Sequence, residues 1–195
     1  MTLKKLHYLS GITLSSFIAL HLFNHLYSIW GIDKHIALMN LLRVVYRNGL
    51  VETLLLVAVL TQIVSGIKLF SRKRAFATTF FEQLQIQTGL YLAFFLLIHI
   101  SAVFVGRYYL HLDTNFYFGA AGINIFPLKL FFIPYYALAI MAVFGHLAAV
   151  HRTKTKTIVG LTPNTQAKII LTLGFALTIA IFYGLTNHFK GVVIP

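Results

Sequence analysis

The sequence contains no cysteine and only four acidic residues among its 195. The lack of cysteine excludes disulfide bonds, thiolate-ligated metals and a cysteine nucleophile. Charged residues of either sign make up 10% of the chain, whereas a soluble domain of this size has about 25%. The chain is therefore too poor in charge for a soluble domain, and its hydrophobic content of 58% indicates a membrane protein.

Long runs without Asp, Glu, Lys or Arg divide the sequence. Four of the five runs exceed the roughly 18 residues that suggest a transmembrane helix. The second, residues 53–67, reaches this length if Lys68 snorkels and Glu52 lies at the other interface. We predict an all-α, polytopic bundle that forms one domain over residues 1–195. Its five transmembrane helices are expected at about 6–29, 48–69, 86–107, 129–151 and 168–188.

The positive charges predict the orientation of this bundle. With a cytoplasmic N-terminus, ten of the sixteen Lys and Arg residues fall on the cytoplasmic side, as the positive-inside rule requires. We therefore expect the C-terminus outside, with insertion in the bacterial inner membrane. The net charge of +12 does not indicate nucleic-acid binding, because it lies in short loops beside apolar helices. Lys4 and Lys5 could begin a signal peptide, but the apolar run after them is too long and lacks a cleavage motif.

The two outer loops are predicted to lie at the membrane surface. Residues 33–47 place charged and amide side chains along one face and apolar side chains on the rest, as in an interfacial helix. Residues 108–128 are rich in Tyr, Phe, Gly and Asn, and this aromatic loop suits the headgroup region.

A weak internal repeat relates the first two predicted helices to the next two. Gly11 in the first helix and Gly89 in the third each precede a histidine by ten residues. Gln62 in the second helix and His146 in the fourth each precede a basic residue by six. The two hairpins are therefore expected to be parallel copies, with the fifth helix added.

Four histidines fall inside the predicted helices, where ionisable groups are rare and usually functional. They are His21, His25, His99 and His146. Haem ligation, a proton relay and hydrogen bonds between helices are the three uses open to them. A proton or ion pathway would more often bury a carboxylate in mid-span, and all four acidic residues lie at or beyond helix ends. Histidines without a carboxylate in mid-span therefore favour haem over an ion pathway.

Depth along the helices selects one pair of these histidines. At ~1.5 Å per residue, His21 and His99 each lie about 5 Å outward of the centres of two helices that run the same way. Two imidazoles at one depth can bind a haem iron from opposite faces. His25 lies one turn further out, and we expect it to bond a haem propionate or to mark the outer surface.

The inner site has fewer candidate haem ligands than the outer site. His146 lies about 9 Å inward of the centre of its helix, and the repeat places Gln62 opposite. Glutamine is not a usual haem ligand, so this site is either haem with one protein ligand or a pocket where both side chains hydrogen-bond another molecule. Gly11 and Gly89 lie at this level, where they admit a flat macrocycle or close helix packing. We expect one haem b, at the outer site, and a polar inner pocket.

The five remaining histidines are predicted to face solvent or headgroups. They are His7, His35, His111, His151 and His188. Arg107 and His111 follow His99 toward the outer surface, where they can neutralise the propionates of the outer haem.

These segments resemble the cytochrome b subunit of succinate dehydrogenase and fumarate reductase in its five-helix, one-chain form. The stretches SGITLSSFIALHLFNHL with His21, QIQTGLYLAFFLLIH ending at His99 and FGHLAAVHR with His146 are similar to the ligand motifs of that family. The resemblance covers residues 6 to about 170. It implies bis-His haem b, electron exchange with quinone, and flavoprotein and iron-sulfur subunits on the cytoplasmic side. The sequence departs from the family at Gln62, where the family has His, and at Ile86, where it usually has Arg.

The prediction is therefore a membrane b-type cytochrome that transfers electrons between quinone and a partner redox subunit, with no flavin site of its own. The alternative is a non-redox member of the same superfamily, acting as a membrane scaffold or in lipid homeostasis. The missing ligand at Gln62 is the reason for that alternative.

Overall fold

The computed structural model describes residues 2–195, which are mostly helical. Seven α-helices follow one another: α1 (Leu3–Leu26), α2 (Ile32–Tyr46), α3 (Gly49–Lys73), α4 (Phe80–Phe104), α5 (Phe116–Asn124), α6 (Lys129–Lys154) and α7 (Pro163–Leu185). Short helical turns extend three of them: Tyr27–Trp30 after α1, Arg74–Phe76 after α3 and a π turn, Val105–Tyr109, after α4. The prediction of an all-α fold is confirmed.

Five of the helical segments are long and apolar enough to cross a membrane. They are Leu3–Trp30, Gly49–Phe76, Phe80–Tyr109, Lys129–Lys154 and Pro163–Leu185. Their outward faces carry large exposed apolar side chains, such as Leu60, Leu97 and Leu173, each more than half exposed. Apolar surface of this extent is unfavourable in water and favourable in lipid. The chain is an integral membrane protein with five spans, as predicted.

Helices α4 and α7 begin six and five residues earlier than the spans predicted for them, which started at 86 and 168. α4 begins at Phe80 because Thr79 and Glu82 form a capping box, in which each side chain accepts a hydrogen bond from the backbone near the other residue. α7 begins at Pro163, behind the cap supplied by Thr162. The charge-free run starts only after Glu82, so the first turn of α4 lies outside that run.

The five long helices form a closed ring in chain order. α1 packs on α3, α3 on α4, α4 on α6 and α6 on α7, and α7 returns to α1 and its 3₁₀ extension. Short connections favour such sequential, antiparallel neighbours. The closing contact is tight, since a Cβ atom added at Gly184 of α7 would lie 2.7 Å from the backbone nitrogen of Ile29.

Helices α2 and α5 cover one end of this ring. The helix predicted over 33–47 is observed as α2, whereas the loop predicted over 108–128 contains α5, so that part of the prediction is wrong. The side chain of Asn115 caps α5 by accepting a hydrogen bond of 2.9 Å from the backbone nitrogen of Tyr117. Phe116, at the start of α5, is buried in the core against residues of α6 and α7. Such a short helix gains its stability from burial rather than from its own sequence.

Candidate functional site

A cavity of about 580 Å³ lies inside the ring, a volume within the range of about 300–1,000 Å³ typical of ligand sites. All five long helices line it, mainly with apolar side chains. We call the end covered by α2 and α5 the outer end and the other the inner end, after the predicted orientation. All six predicted site residues line the cavity: Gly11, His21, Gln62, Gly89, His99 and His146.

His21 of α1 and His99 of α4 face each other across the cavity, and we call them the outer pair. Their ring centroids are 6.1 Å apart and their planes make an angle of 69°. Two histidines that bind one metal ion from opposite sides, each through a nitrogen roughly 2 Å from it, have centroids roughly 6 Å apart. The separation therefore fits two ligands of one iron.

A phenylalanine supports each ring of the outer pair. Phe17 stacks on His21 at a centroid distance of 5.7 Å, and Phe95 stacks on His99 at 5.1 Å. Each phenylalanine lies four residues before its histidine, which is the spacing that brings two side chains together on a helix surface. The internal repeat therefore extends to the residues that position the imidazoles.

Three further polar side chains extend the outer pair toward α2. The Nε2 atom of His25 lies 3.2 Å from Nε2 of His21, and Nε2 of His35 lies 3.2 Å from Nδ2 of Asn24. Three buried atoms of this cluster have no hydrogen-bond partner among the described residues: Nδ1 of His25, Nδ1 of His35 and Oδ1 of Asn24. An unpaired buried polar atom costs about 1–3 kcal/mol, so this cluster is suited to hydrogen-bonding a ligand.

His35 was predicted to face solvent or headgroups, and this is wrong, because its side chain is 1% exposed. Burial lowers the pKa of His35 to about 4, and the positive charge of Arg43 adds to the effect. His35 and Met39 are the two buried residues of α2. Their spacing of four residues marks one face of a helix, and this periodicity is the signal that could have placed His35 inside.

At the inner end, Gln62 is hydrogen-bonded within the first hairpin. The hydroxyl of Ser10 donates a hydrogen bond of 2.9 Å to Oε1 of Gln62. A Cβ atom added at Gly11 would lie 3.0 Å from Nε2 of the same amide. The absence of a side chain at Gly11 therefore leaves room for the Gln62 amide beside α1.

His146 occupies the equivalent place in the second hairpin. Its Nδ1 lies 3.3 Å from the hydroxyl of Thr88 and 3.1 Å from the backbone oxygen of Gln85. A Cβ atom added at Gly89 would lie 3.3 Å from Cε1 of the ring. The pairing of Gly89 with His146 thus matches that of Gly11 with Gln62, as the repeat predicted.

The histidine that faces His146 is His7, which the sequence analysis assigned to solvent or headgroups. That assignment is wrong, because His7 is half-buried and lines the cavity. Its ring centroid lies 6.4 Å from that of His146, with an interplanar angle of 68°. The sequence does contain a signal for the inward position of His7. His7 and His21 are 14 residues apart, which is close to four helical turns and puts both on one face of α1.

Three arginines and two carboxylates surround the outer end of the cavity. Arg107 pairs with Glu52, and Arg43 pairs with Asp113 at 2.9 Å. Arg47 donates a hydrogen bond of 3.1 Å to the hydroxyl of Thr114. Burial lowers the pKa of Arg47, and the neighbouring arginines lower it further. This end of the cavity is therefore positively charged and suits an anionic group, whereas the predicted contributor His111 is exposed and does not line it.

The described residues contain no group of three or more His, Cys, Asp or Glu side chains arranged to hold a metal ion. A structural or catalytic zinc ion takes three or four protein ligands. Paired imidazoles suit an iron whose other ligands come from a macrocycle.

Comparisons of the chain with protein-family models, with curated proteins and with solved structures found no match. Function is therefore inferred from the geometry of the cavity and its histidines.

Proposed function

We propose that the chain is a membrane b-type cytochrome that passes electrons between membrane quinone and a partner redox subunit. The observation that supports this most directly is the outer pair, His21 and His99, at a centroid distance of 6.1 Å across a buried cavity. When bound, haem supplies one-electron redox chemistry at its iron. His21 and His99 would supply the nitrogens that hold the iron, and the apolar lining of the cavity would exclude water from it.

The side chains around the outer pair have distinct roles in this proposal. His21 and His99 are the ligands, and the stacked rings of Phe17 and Phe95 hold their orientation. Nε2 of His21 contacts His25 at 3.2 Å. If this nitrogen of His21 held the haem iron, His25 would lose that partner and would be available to hydrogen-bond a polar group of the bound ligand.

The charged outer end of the cavity has a role in the same proposal. Arg47 and Arg107 both line the cavity beyond the outer pair. Haem b carries two carboxylates, and guanidinium groups bind carboxylates through strong, charge-assisted hydrogen bonds. We therefore assign these arginines to the propionates, with Glu52 holding Arg107 in place.

The proposal includes an orientation and a docking face. With the N-terminus in the cytoplasm of a bacterial cell, the inner end carries exposed basic residues such as Arg74, Lys154 and Lys156. A positive face steers and orients an acidic partner. We propose that a flavoprotein with its iron-sulfur subunit binds this face, because we assign no flavin site to the chain itself.

The absorption spectrum of the purified protein tests this proposal. The protein is expressed with haem supplied and purified in detergent, and its spectrum is recorded before and after reduction. We expect the sharp α band of low-spin, bis-histidine haem on reduction. A colourless protein would contradict the proposal and leave the non-redox scaffold as the better function.

A further inference from the structure

The inner end of the cavity repeats the geometry of the outer pair. The rings of His7 and His146, which we call the inner pair, are 6.4 Å apart at 68°, against 6.1 Å and 69° for the outer pair. Both pairs join α1 to a helix of the second hairpin. The two pairs are therefore equally suited in separation and angle to bind one iron each.

The hydrogen-bond partners of the inner pair bear on which nitrogen of each ring carries the proton. Nδ1 of His146 lies 3.1 Å from the backbone oxygen of Gln85, and a carbonyl oxygen only accepts, so Nδ1 is the donor. Nδ1 of His7 lies 2.8 Å from the hydroxyl of Ser65, which also contacts the backbone oxygen of Thr61. With the Ser65 hydrogen directed at Thr61, the Ser65 oxygen accepts from Nδ1 of His7, and this tautomer leaves Nε2 of His7 free to bind a metal.

In these tautomers both Nε2 atoms of the inner pair carry a lone pair. Neither has a hydrogen-bond partner among residues 2–195, and both histidines line the cavity. A metal-binding histidine almost always donates its other N–H to a carbonyl or similar acceptor, which fixes the tautomer and orients the ring. Ser65 and Gln85 supply such acceptors for His7 and His146, so the inner pair is already arranged to bind metal through Nε2.

Glycines stand beside both rings of the inner pair. A Cβ atom added at Gly66 would lie 3.6 Å from Cε1 of His7, and one added at Gly89 would lie 3.3 Å from Cε1 of His146. Each glycine belongs to a different helix from the ring that it faces. The missing side chains leave space for the imidazoles where the helices approach one another.

The internal repeat relates each histidine of the inner pair to a glutamine of the other hairpin. Gly11 and Gly89 are separated by 78 residues, as are His21 and His99, and the same offset relates His7 to Gln85. Gln62 corresponds to His146. Each hairpin therefore holds one histidine and one glutamine at its two inner positions, with the two residue types interchanged. The first hairpin supplies its imidazole from α1 instead of α3.

We infer that the inner pair is a second haem site, in which His7 and His146 are the axial ligands and Gln62 is not a ligand. This inference rests on the proposed function and raises the expected content from one haem per chain to two. His7 and His21 are 14 residues apart, which is roughly 21 Å along α1. The two sites therefore lie toward opposite membrane surfaces and provide a path for electrons across the bilayer.

Haem stoichiometry in the full-length protein tests the inference. We expect two haems per chain in the wild type and one in His7→Ala and in His146→Ala, with the spectrum of the outer site retained. The retained outer haem shows that each variant is folded. Gln62→Ala is the matched control and is expected to keep both haems. His7→Met is expected to keep two haems with a raised potential for one of them, because Met is an axial ligand that raises the potential.

The outcomes separate this inference from the proposed function. One haem per chain, lost in His21→Ala and kept in His7→Ala, would overturn the second site and leave the proposed function standing. Two haems, one of which is lost in Gln62→Ala and not in His7→Ala, would overturn the ligand assignment. A protein without haem would overturn the proposed function and the inference together.

Discussion

Arg107, in the π turn after α4, donates a hydrogen bond to Glu52 of α3, and the two side chains form an ion pair at the outer end of the cavity. The side chains are only 20% and 26% exposed. Removal of one partner leaves the other charge largely buried and unpaired. We expect Glu52→Ala to lower the free energy of unfolding by about 1–3 kcal/mol.

Thermal unfolding in detergent measures this effect. Asp33→Ala is the matched control, since Asp33 is exposed and forms no ion pair within residues 2–195. Equal stability of the two variants would show that the pair of Arg107 and Glu52 contributes little.

The choice of ligand on α1 can be tested with single substitutions. His21→Ala and His99→Ala are each expected to abolish the low-spin signal of the outer haem, because each removes one axial bond. His25→Ala is expected to leave that signal largely intact. The reason is that His99 faces His21, whereas the hydrogen bond of His25 is to His21 and not to His99. Absorption and electron paramagnetic resonance spectra give the answer. Loss of the signal in His25→Ala and its retention in His21→Ala would identify His25 as the ligand.

Closure of the helical ring depends on the absence of a side chain at Gly184. A Cβ atom there would lie 2.7 Å from the backbone nitrogen of Ile29, and backbone atoms cannot move aside as a flexible side chain can. Gly184→Ala is expected to destabilise the protein by about 1–3 kcal/mol, as overpacking does in other cores. Gly49→Ala is the control, because nothing lies within 4 Å of its added Cβ. Unfolding midpoints in detergent compare the two, and an unchanged midpoint for Gly184→Ala would contradict the tight contact.

Stability is expected to fall in acid because of His35. Its pKa is lowered from 6.5 to about 4, mainly by burial and then by Arg43. Between these two values the unfolded chain binds a proton that the folded chain does not, so stability decreases as the pH falls through this window, by up to about 3 kcal/mol. His25 and Asn24 of α1 and Arg43 of α2 are the charged or polar side chains nearest to this ring.

Unfolding in detergent from pH 7 to pH 4 measures the loss. His35→Gln is expected to flatten the pH dependence, since an amide does not titrate in this range. His111→Gln, at an exposed position, is expected to behave like the wild type. An unchanged slope in His35→Gln would assign the acid sensitivity to other groups.

The orientation can be measured directly because the chain has no cysteine to remove. Val159, between α6 and α7, and Val193, after α7, are 94% and 91% exposed. In spheroplasts, a maleimide that cannot cross the membrane is expected to label Val193→Cys at once and Val159→Cys only after permeabilisation. The reverse pattern would place the N-terminus outside.

Depth in the membrane could be predicted from the residues because it is proportional to position along a helix, at ~1.5 Å per residue. The five spans follow from runs without charge, and the equal depths of His21 and His99 follow from counting. The equivalence of Gln62 with His146 follows from the repeat in the same way. The structure bears out the spans and brings His21 and His99 to face each other.

The direction in which a side chain faces depends on which helices pack together, and this requires the tertiary structure. His7 lies near the start of α1, where depth alone suggests an interface, but the closed ring directs it into the cavity against Ser65 and His146. His35 is buried because α2 folds back over the ring. Helix α5 forms because the ends of α6 and α7 bury its face. Each of these features depends on contacts between segments distant in the chain. Helical spacing puts His7 on the face of His21 and His35 on the face of Met39, but it does not say which helix packs against that face.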